Sequence, residues 1–318
     1  MFRSWLVCVC AAVAVGLTAV PASTGRFIPV VHECERLVVV DKPPGVCVHD
    51  EAGEAGVLTL LRAQRLLRGE GDDNGERLHL CHRLDKPTSG LLILAKGSAT
   101  AADVAAAFRE RRVGKIYVAL SAKIPSKKMG TVSGQMAKAR RAAWKLLRSQ
   151  EDAAVTHFAA AGLGADDALL ARRLFICRPV TGKTHQIRVA LKSLGAPVLG
   201  DEYYGGGGAA DADRSLYLHA TAIRLELPGS PVLQLLCPPS IGSEFTSQRC
   251  RETLSKRLFG DDALLQSDEA PKLAPPLQRL RLFQTEAPVQ VVGAAARSLD
   301  AFPAPLGYAF VTDRTDCA

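Results

Sequence analysis

The sequence has no CxxC pair and no other cysteine spacing that is typical of a metal site. Two of its nine cysteines, Cys8 and Cys10, lie close to the N-terminus, and the others are scattered between Cys34 and Cys317. The odd number that remains after the first two does not pair into the disulfide framework of a small secreted domain. We therefore expect free thiols in a reducing compartment, and no zinc or other metal site.

The sequence also lacks an apolar run of the length that a transmembrane helix usually needs. An uncharged apolar run over residues 5–20 follows a short positive start and is followed by the small residues that precede a cleavage site. This pattern is typical of a secretory signal peptide and is short for a transmembrane helix. Residues 1–24 are therefore predicted to be a targeting leader, and no membrane span is expected after its removal.

The leader leaves three interpretations of the compartment open. The leader directs the protein to secretion, or it is the first part of a targeting signal for an organelle that is reached through the secretory route. In the third interpretation, the start codon is mis-assigned. A typical mitochondrial presequence would contain more arginine and a shorter apolar run. Among these, an organelle is the expected location, either a plastid or a mitochondrion.

No internal repeat and no regular alternation of strands with helices is visible. Short β-branched or apolar segments, typical of strands, recur along the chain at residues 37–40, 78–81, 115–120, 155–160, 169–177, 217–227 and 232–236. Helical spacing is found at residues 57–67, 98–112 and 184–194, with Ser98 as a predicted N-cap. This pattern predicts an α+β fold with a mixed, largely antiparallel central β-sheet and flanking helices.

A chain of 318 residues with 47% apolar content can bury one sizeable core, or one core plus an appendage. Patterning weakens after about residue 239, and residues 270–277 are rich in proline. We predict three segments: the leader over residues 1–24, a folded domain over residues 25–245, and a loosely ordered C-terminal extension over residues 246–318.

Positive charge is concentrated in one part of the chain. The net charge is +8, yet residues 108–149 contain twelve basic residues and one acidic residue, a net charge of +11. Such a cluster of basic residues is explained as readily by a solvent-exposed surface as by a bound ligand. A polyanionic partner is the second interpretation, and an exposed hairpin or flap predicted at residues 130–136 leads into the basic residues 138–148.

The segment HRLDKPTSG at residues 82–90 places a carboxylate, Asp85, between two predicted β segments. By itself Asp85 would fit an ordinary turn residue, since Asp-Lys-Pro and Ser-Gly are common in turns. Several further segments change that interpretation. They are KPPG at residues 42–45, KIY at 115–117, TGKTHQIR at 181–188, GAPVLGD at 195–201 and LHA at 218–220.

In this order, the segments resemble the HRLDxxTSG, KPxG, KxY, TGRTHQIR, GxPIxGD and LHA motifs of the RluA family of RNA pseudouridine synthases. The resemblance covers residues 30–240. It implies a pseudouridine synthase fold with a catalytic cleft, a catalytic domain over residues 25–245, and RNA, either tRNA or rRNA, as the partner. It also implies an isomerase that needs no cofactor and no metal. We expect a monomer.

The resemblance assigns roles to individual residues. Asp85 corresponds to the catalytic aspartate, Arg188 to the arginine that pairs with it, and Tyr117 to the tyrosine that stacks on the target base. Arg83 corresponds to the arginine that helps to hold RNA with the uridine extruded. Weaker candidates for RNA or substrate binding are His82, Lys183, His185 and Gln186, together with Lys138, Arg140 and Arg141 of the basic run.

The chain departs from the family pattern at three places. Lys183 replaces the usual arginine, Ala190 stands where histidine or asparagine is common, and residues 205–213 lengthen a loop. These departures bear on substrate choice more than on activity. We also expect no separate S4-like RNA-binding domain before the catalytic region.

Two other functions are compatible with parts of the sequence. A non-catalytic RNA-binding or RNA-folding protein would keep the basic surface without using Asp85. A secreted glycosidase-like enzyme would fit the leader, but such enzymes usually need two acting carboxylates and no second one has comparable context. An RNA pseudouridine synthase is therefore the preferred hypothesis.

Overall fold

The computed structural model describes residues 27–51, 53–69, 77–164, 172–205, 216–259, 289–292 and 308–310. The predicted leader, most of the glycine-rich loop after Tyr204 and the proline-rich segment lie outside these residues. The strands are β1 (Val30–Glu33), β2 (Leu37–Lys42), β3 (Leu78–Leu80), β4 (Ser89–Lys96), β5 (Val113–Ser121), β6 (Met129–Gly134), β7 (Met136–Lys138), β8 (Trp144–Leu146), β9 (Ala154–Gly162), β10 (Arg173–Pro179), β11 (Leu218–Leu225), β12 (Leu233–Leu236), β13 (Val289–Val291) and β14 (Tyr308–Phe310). The helices are α1 (Val57–Leu67), α2 (Gly97–Arg109), α3 (Gln186–Ser193), α4 (Ser243–Thr246) and α5 (Gln248–Phe259).

One large sheet organises these elements. Its strand order is β1-β2-β4-β11-β5-β10-β9-β6, with β3 paired to β4 and with β12, β13 and β14 continuing from β11. The β4–β11, β12–β13 and β13–β14 pairs are parallel, and the other pairs of this sheet are antiparallel. The predicted α+β class with a mixed, largely antiparallel sheet is therefore confirmed.

Both faces of the central strands are covered, which explains their continuous apolar sequences. In β2, Leu37 and Val39 pack into a cluster that includes α2, whereas Val38 and Val40 pack into a second cluster that includes α1. A third cluster joins β5 and β10 to α3. Because side chains alternate between the faces of a strand, an uninterrupted apolar run is what a strand buried on both faces requires.

The helix and hairpin boundaries correct three predictions. Ser98 is not an N-cap, since β4 runs to Lys96, and Lys96 itself precedes the first helical residue. Helix α3 starts at Gln186, two residues later than predicted, because His185 has a left-handed φ of 57°. Residues 130–134 are part of strand β6 rather than a flap, and the exposed hairpin is formed by β7 and β8.

The loop that holds Asp85 enters the sheet at a point of close backbone contact. Gly90, near the start of β4, has a φ of 109°, and an added Cβ would lie 2.4 Å from the carbonyl oxygen of Ala220 in β11. Only glycine fits both the conformation and the space there. This close packing places the loop at the junction of β4, β5 and β11.

The described residues beyond position 245 include α5 and strands β13 and β14. Cys250, Leu254 and Leu258 of α5 are buried, and Val292 belongs to the same core cluster as Leu37. The three-segment division of the chain stays a prediction. The six cysteines within the described residues are free thiols, and no helix among those residues is long and apolar enough to cross a membrane.

Candidate active site

A cleft opens where the β3–β4 loop, strand β5 and the start of helix α3 meet. The helix is preceded by the loop that contains the TGKTHQ segment, which forms one wall of the cleft. The residues that line the cleft are Arg83, Leu84, Asp85, Thr88, Lys115, Tyr117, Pro179, Thr181, Gly182, Lys183, Thr184, His185, Gln186, Ile187, Arg188 and Leu218. The structure thus brings Asp85, Tyr117 and Arg188 together from three separate segments.

Asp85 is held by its loop and by one cation. The amide of Thr88 donates to the Asp85 carbonyl oxygen at 3.0 Å, which closes a turn around the aspartate. The ammonium of buried Lys42 donates to the carbonyl oxygens of Pro43, Val46 and Lys86, and so fixes the residue that follows Asp85. The Asp85 side chain keeps 17% of its surface exposed and faces Arg188 across 3.3 Å.

Arg188 is buried between two carboxylates. Its Nε and Nη2 atoms donate to the two oxygens of Asp201, both at 2.8 Å, and its Nη1 donates to Asp85 at 3.3 Å. Burial opposes the guanidinium charge, but Asp201 and Asp85 outweigh it and raise the pKa of Arg188. The forked contact with Asp201 fixes the plane of the guanidinium, so that one N–H remains for Asp85.

Asp201 is in turn fixed by its own loop. Only 1% of its surface is exposed, and its Oδ1 accepts the amides of Tyr203 and Tyr204 at 3.1 and 3.3 Å. The carboxylate therefore has the hydrogen bonds that a buried charge needs. Sequence analysis included Asp201 in the GAPVLGD segment but assigned it no role. Its contact with Arg188 joins two different segments and is visible only in the folded structure.

Tyr117 leaves β5 toward the same cleft and packs against two core clusters. Burial, with the negative charge of Asp85 as a second cause, raises the pKa of Tyr117 above the usual range. The side chain is therefore a neutral phenol at physiological pH. A neutral aromatic ring beside a carboxylate can stack on a base and donate a hydrogen bond.

His185 connects the cleft to the β7–β8 hairpin. Its Nε2 lies 3.9 Å from Asp85, and its Nδ1 lies 2.9 Å from the hydroxyl of Tyr204, which also accepts the amide of Trp144 from β8. Burial lowers the pKa of His185, against the opposing charge of Asp85. Tyr204, which sequence analysis missed, thus joins the hairpin to His185, and Arg188 lies over its ring at 5.2 Å.

The side chains of Lys183 and Gln186 form an ion pair and hydrogen bonds with other residues of the protein. The Gln186 side-chain oxygen accepts the Thr181 hydroxyl and the Lys183 amide, and its nitrogen donates to Val155 and Thr156. The Lys183 ammonium pairs with Asp152. Both residues therefore brace the TGKTHQ loop, and their predicted roles in RNA binding stay predictions.

The remaining predicted residues occupy different positions. Arg83 is exposed and lines the cleft. His82 does not line it: its ring lies 4.8 Å from that of Phe108, and its Nε2 accepts the amide of Ile93. Burial, with the Lys115 charge adding to it, lowers the pKa of His82 to about 3, so the ring is neutral. Its contacts are those of a structural histidine.

The predicted RNA-binding residues of the basic run, Lys138, Arg140 and Arg141, lie at the tip of the β7–β8 hairpin. All three are exposed, and none forms an ion pair with another described residue. Exposed cations grouped in this way provide positive potential over the surface around them.

One buried group within the described residues has the composition of a cation site. Ligand atoms of Asp41, His219 and Cys237 lie within 4.8 Å of one another. However, His219 Nδ1 lies 2.8 Å from the Ser89 hydroxyl and Nε2 lies 2.9 Å from the Cys237 carbonyl oxygen. Burial and Asp41 raise the pKa of the Cys237 thiol well above its usual value, so the thiol is protonated in this network. The group fits a hydrogen-bonded core network better than a metal site.

Comparisons with known proteins identify this arrangement. A family model described as RNA pseudouridylate synthase matches residues 36–193. An uncharacterized RNA pseudouridine synthase of Haemophilus influenzae is 41% identical over 68% of this chain and 89% of its own length. Ribosomal large subunit pseudouridine synthase C of Rickettsia prowazekii is 32% identical over 61% of this chain and 62% of its own length. The structure of human RNA pseudouridylate synthase domain containing 4 matches with a TM-score of 0.54 at 28% identity, over 70% of this chain and 93% of that one.

The fold and the cleft are therefore those of an RNA pseudouridine synthase, an isomerase that converts uridine in RNA to pseudouridine. Within that class, the chain belongs to the RluA family.

Proposed function

We propose that this chain isomerises uridine in ribosomal or transfer RNA with Asp85 as its catalytic carboxylate. In the reaction the N1–C1′ bond breaks, a C5–C1′ bond forms, one proton leaves C5 and one proton joins N1. Nothing is oxidised or reduced and no atom is lost. The chemistry needs an anionic group beside the sugar, which acts either as a nucleophile at C1′ or as a base on the sugar. It requires no cofactor.

The contact between Asp85 and Arg188 is the observation that supports this proposal most directly. A carboxylate enclosed by a bound nucleotide stays ionised only when a cation faces it. Arg188 provides that cation, and Asp201 prevents it from turning away. Tyr117, on β5, would receive the uracil ring against its face, and exposed Arg83 would help to hold the RNA with the uridine extruded.

The proposed substrate class rests on two features. The Rickettsia prowazekii relative is named as a large-subunit ribosomal enzyme, and structured RNA of this kind presents phosphates to the exposed cations of the hairpin. Transfer RNA has the same chemistry and is the second candidate. We propose that the protein acts as a monomer in an organelle.

The proposed activity is tested by incubating the protein with unmodified ribosomal RNA and unmodified transfer RNA, each in a separate reaction. Pseudouridine is then quantified by mass spectrometry after nuclease digestion. We expect one site-specific modification in one of the two pools. Retained RNA binding without pseudouridine in either pool would contradict the proposal and favour the non-catalytic RNA-binding function.

The hairpin tip is expected to supply phosphate contacts. Replacing Lys138, Arg140 and Arg141 by glutamine should weaken RNA binding about tenfold or more at physiological salt and make the dependence of log K on log salt shallower by about two, since each lost contact contributes roughly 0.7 to 0.9. Filter binding across a salt series measures both quantities.

A matched control removes the same charge from another surface. Lys123, Lys127 and Lys128 are also exposed and belong to the same basic run, but they lie in the β5–β6 connection. The corresponding triple glutamine variant should bind RNA nearly as well as the native protein. Equal losses in the two variants would mean that net charge, and not the hairpin, determines binding.

A further inference from the structure

We propose that Lys115 is a catalytic residue that stabilises the negative charge developing on uracil as the glycosidic bond breaks. The inference rests on the proposed function of the cleft. Lys115 is the first residue of the KIY segment, and sequence analysis assigned no role to it.

Lys115 lies near Tyr117 on β5, and both residues line the cleft. Asp85 and Arg188 enter the same cleft from the β3–β4 loop and from α3. If the uracil ring lies against Tyr117, Lys115 is the cation of β5 that can reach the ring.

The charged residues of the cleft leave Lys115 without an acidic partner among the described residues. Arg188 is engaged by Asp201 and Asp85, and Lys183 is engaged by Asp152. Arg83 is exposed at the entrance. Lys115 is partly buried and has no ion pair with any described residue, and its ammonium lies 5.3 Å from the centre of the Phe108 ring. A partly buried cation without an anionic partner is positioned to interact with one that arrives with the substrate.

The reaction creates such an anion. When N1 separates from C1′, the electron pair of the bond stays with uracil, and its charge is shared between N1, C5 and the two exocyclic oxygens. A positive group in a site shielded from water lowers the energy of that anion far more than it would in solution. Arg188 cannot do this while it balances two carboxylates. Lys115 is the cleft cation that remains for the departing base.

The surroundings of Lys115 also predict a pH dependence. Burial lowers the pKa of Lys115 to about 8. The titratable or charged groups around it are neutral His82 and, along the cleft, Arg83, Asp85, Tyr117, Lys183, His185 and Arg188. Because the ammonium is the active form, the rate should fall as the pH rises through about 8. Arginine at this position keeps its charge and should remove that alkaline decline.

The decisive experiment compares two leaving groups under single-turnover conditions. RNA substrates contain either uridine or 5-fluorouridine at the target, and loss of the original nucleoside is followed after digestion. Fluorine withdraws electrons and stabilises the departing base by itself. Lys115→Met should slow the uridine reaction by roughly 100-fold to 1000-fold, as for loss of one electrostatic stabiliser, and the 5-fluorouridine reaction by about tenfold less.

Control variants separate the possible outcomes. Lys123→Met, on an exposed loop, should react at the native rate, and Lys115→Arg should retain most of the uridine activity. Equal slowing on both substrates, or no slowing on either, would overturn the role of Lys115 in leaving-group stabilisation. A native protein that converts neither substrate would instead contradict the proposed function. RNA affinity, measured in parallel, should stay within about threefold in Lys115→Met.

Discussion

Asp85→Asn should abolish pseudouridine formation while leaving the fold and RNA binding intact. The substitution preserves the shape of the side chain but removes the charge, so the group can act neither as a nucleophile nor as a base. We expect a loss on the order of 10⁴-fold or more in the single-turnover rate. Mass spectrometry of digested RNA measures it.

The structure explains why this variant should still fold. Arg188 keeps both hydrogen bonds to Asp201, so removal of the Asp85 charge does not leave the guanidinium without a carboxylate. Asp103→Asn, on α2 and outside the cleft, is the matched control and should keep native activity. Activity of Asp85→Asn within tenfold of the native rate would remove Asp85 from the mechanism.

Arg188→Met should cause the largest loss of stability among the site variants, together with loss of activity. Asp201 would remain at 1% exposure with two backbone amides but no cation. Breaking a buried ion pair by removing one partner typically costs about 3 to 5 kcal/mol. Urea unfolding followed by circular dichroism measures the free energy of unfolding.

The double variant Arg188→Met with Asp201→Asn separates the structural role of Arg188 from its catalytic role. Since the buried carboxylate is also removed, most of the lost stability should return. Activity should stay lost, because Asp85 still lacks the cation that faces it. A double variant that recovers pseudouridine formation would show that Arg188 acts only in folding. A double variant that is as unstable as Arg188→Met would show that stability is lost through packing and not through the unpaired carboxylate of Asp201.

These predictions divide the cleft into two electrostatic parts. Asp201, Arg188 and Asp85 form a chain of alternating charges with a net negative charge, and the proposal places the sugar beside it. Neutral Tyr117 and positive Lys115 also line the cleft, and the proposal places the base, which becomes negative, against them. The arrangement keeps the two charges that the reaction separates in different surroundings.

The class of fold, the family and the three residues that meet at the cleft were predicted from the amino-acid sequence alone. Helix α1 was predicted with its observed bounds, and the Asp85 loop was correctly placed between two strands. These features depend on local signals, namely hydrophobic periodicity, turn residues and motifs. Such signals predict structure wherever it is determined by residues that are close together in the sequence. The motif resemblance supplied the pairing of Asp85 with Arg188, which no local pattern contains.

The pairing of the other charged residues could not be predicted from the sequence and is visible only in the folded chain. Asp201 engages Arg188, Asp152 engages Lys183, and Lys115 is left without an acidic partner among the described residues. His82 packs on Phe108, and its predicted role in RNA binding stays a prediction. The physical reason is that ion pairing and burial depend on distances between segments far apart in the chain, and these distances exist only after the sheet brings β4, β5 and α3 together.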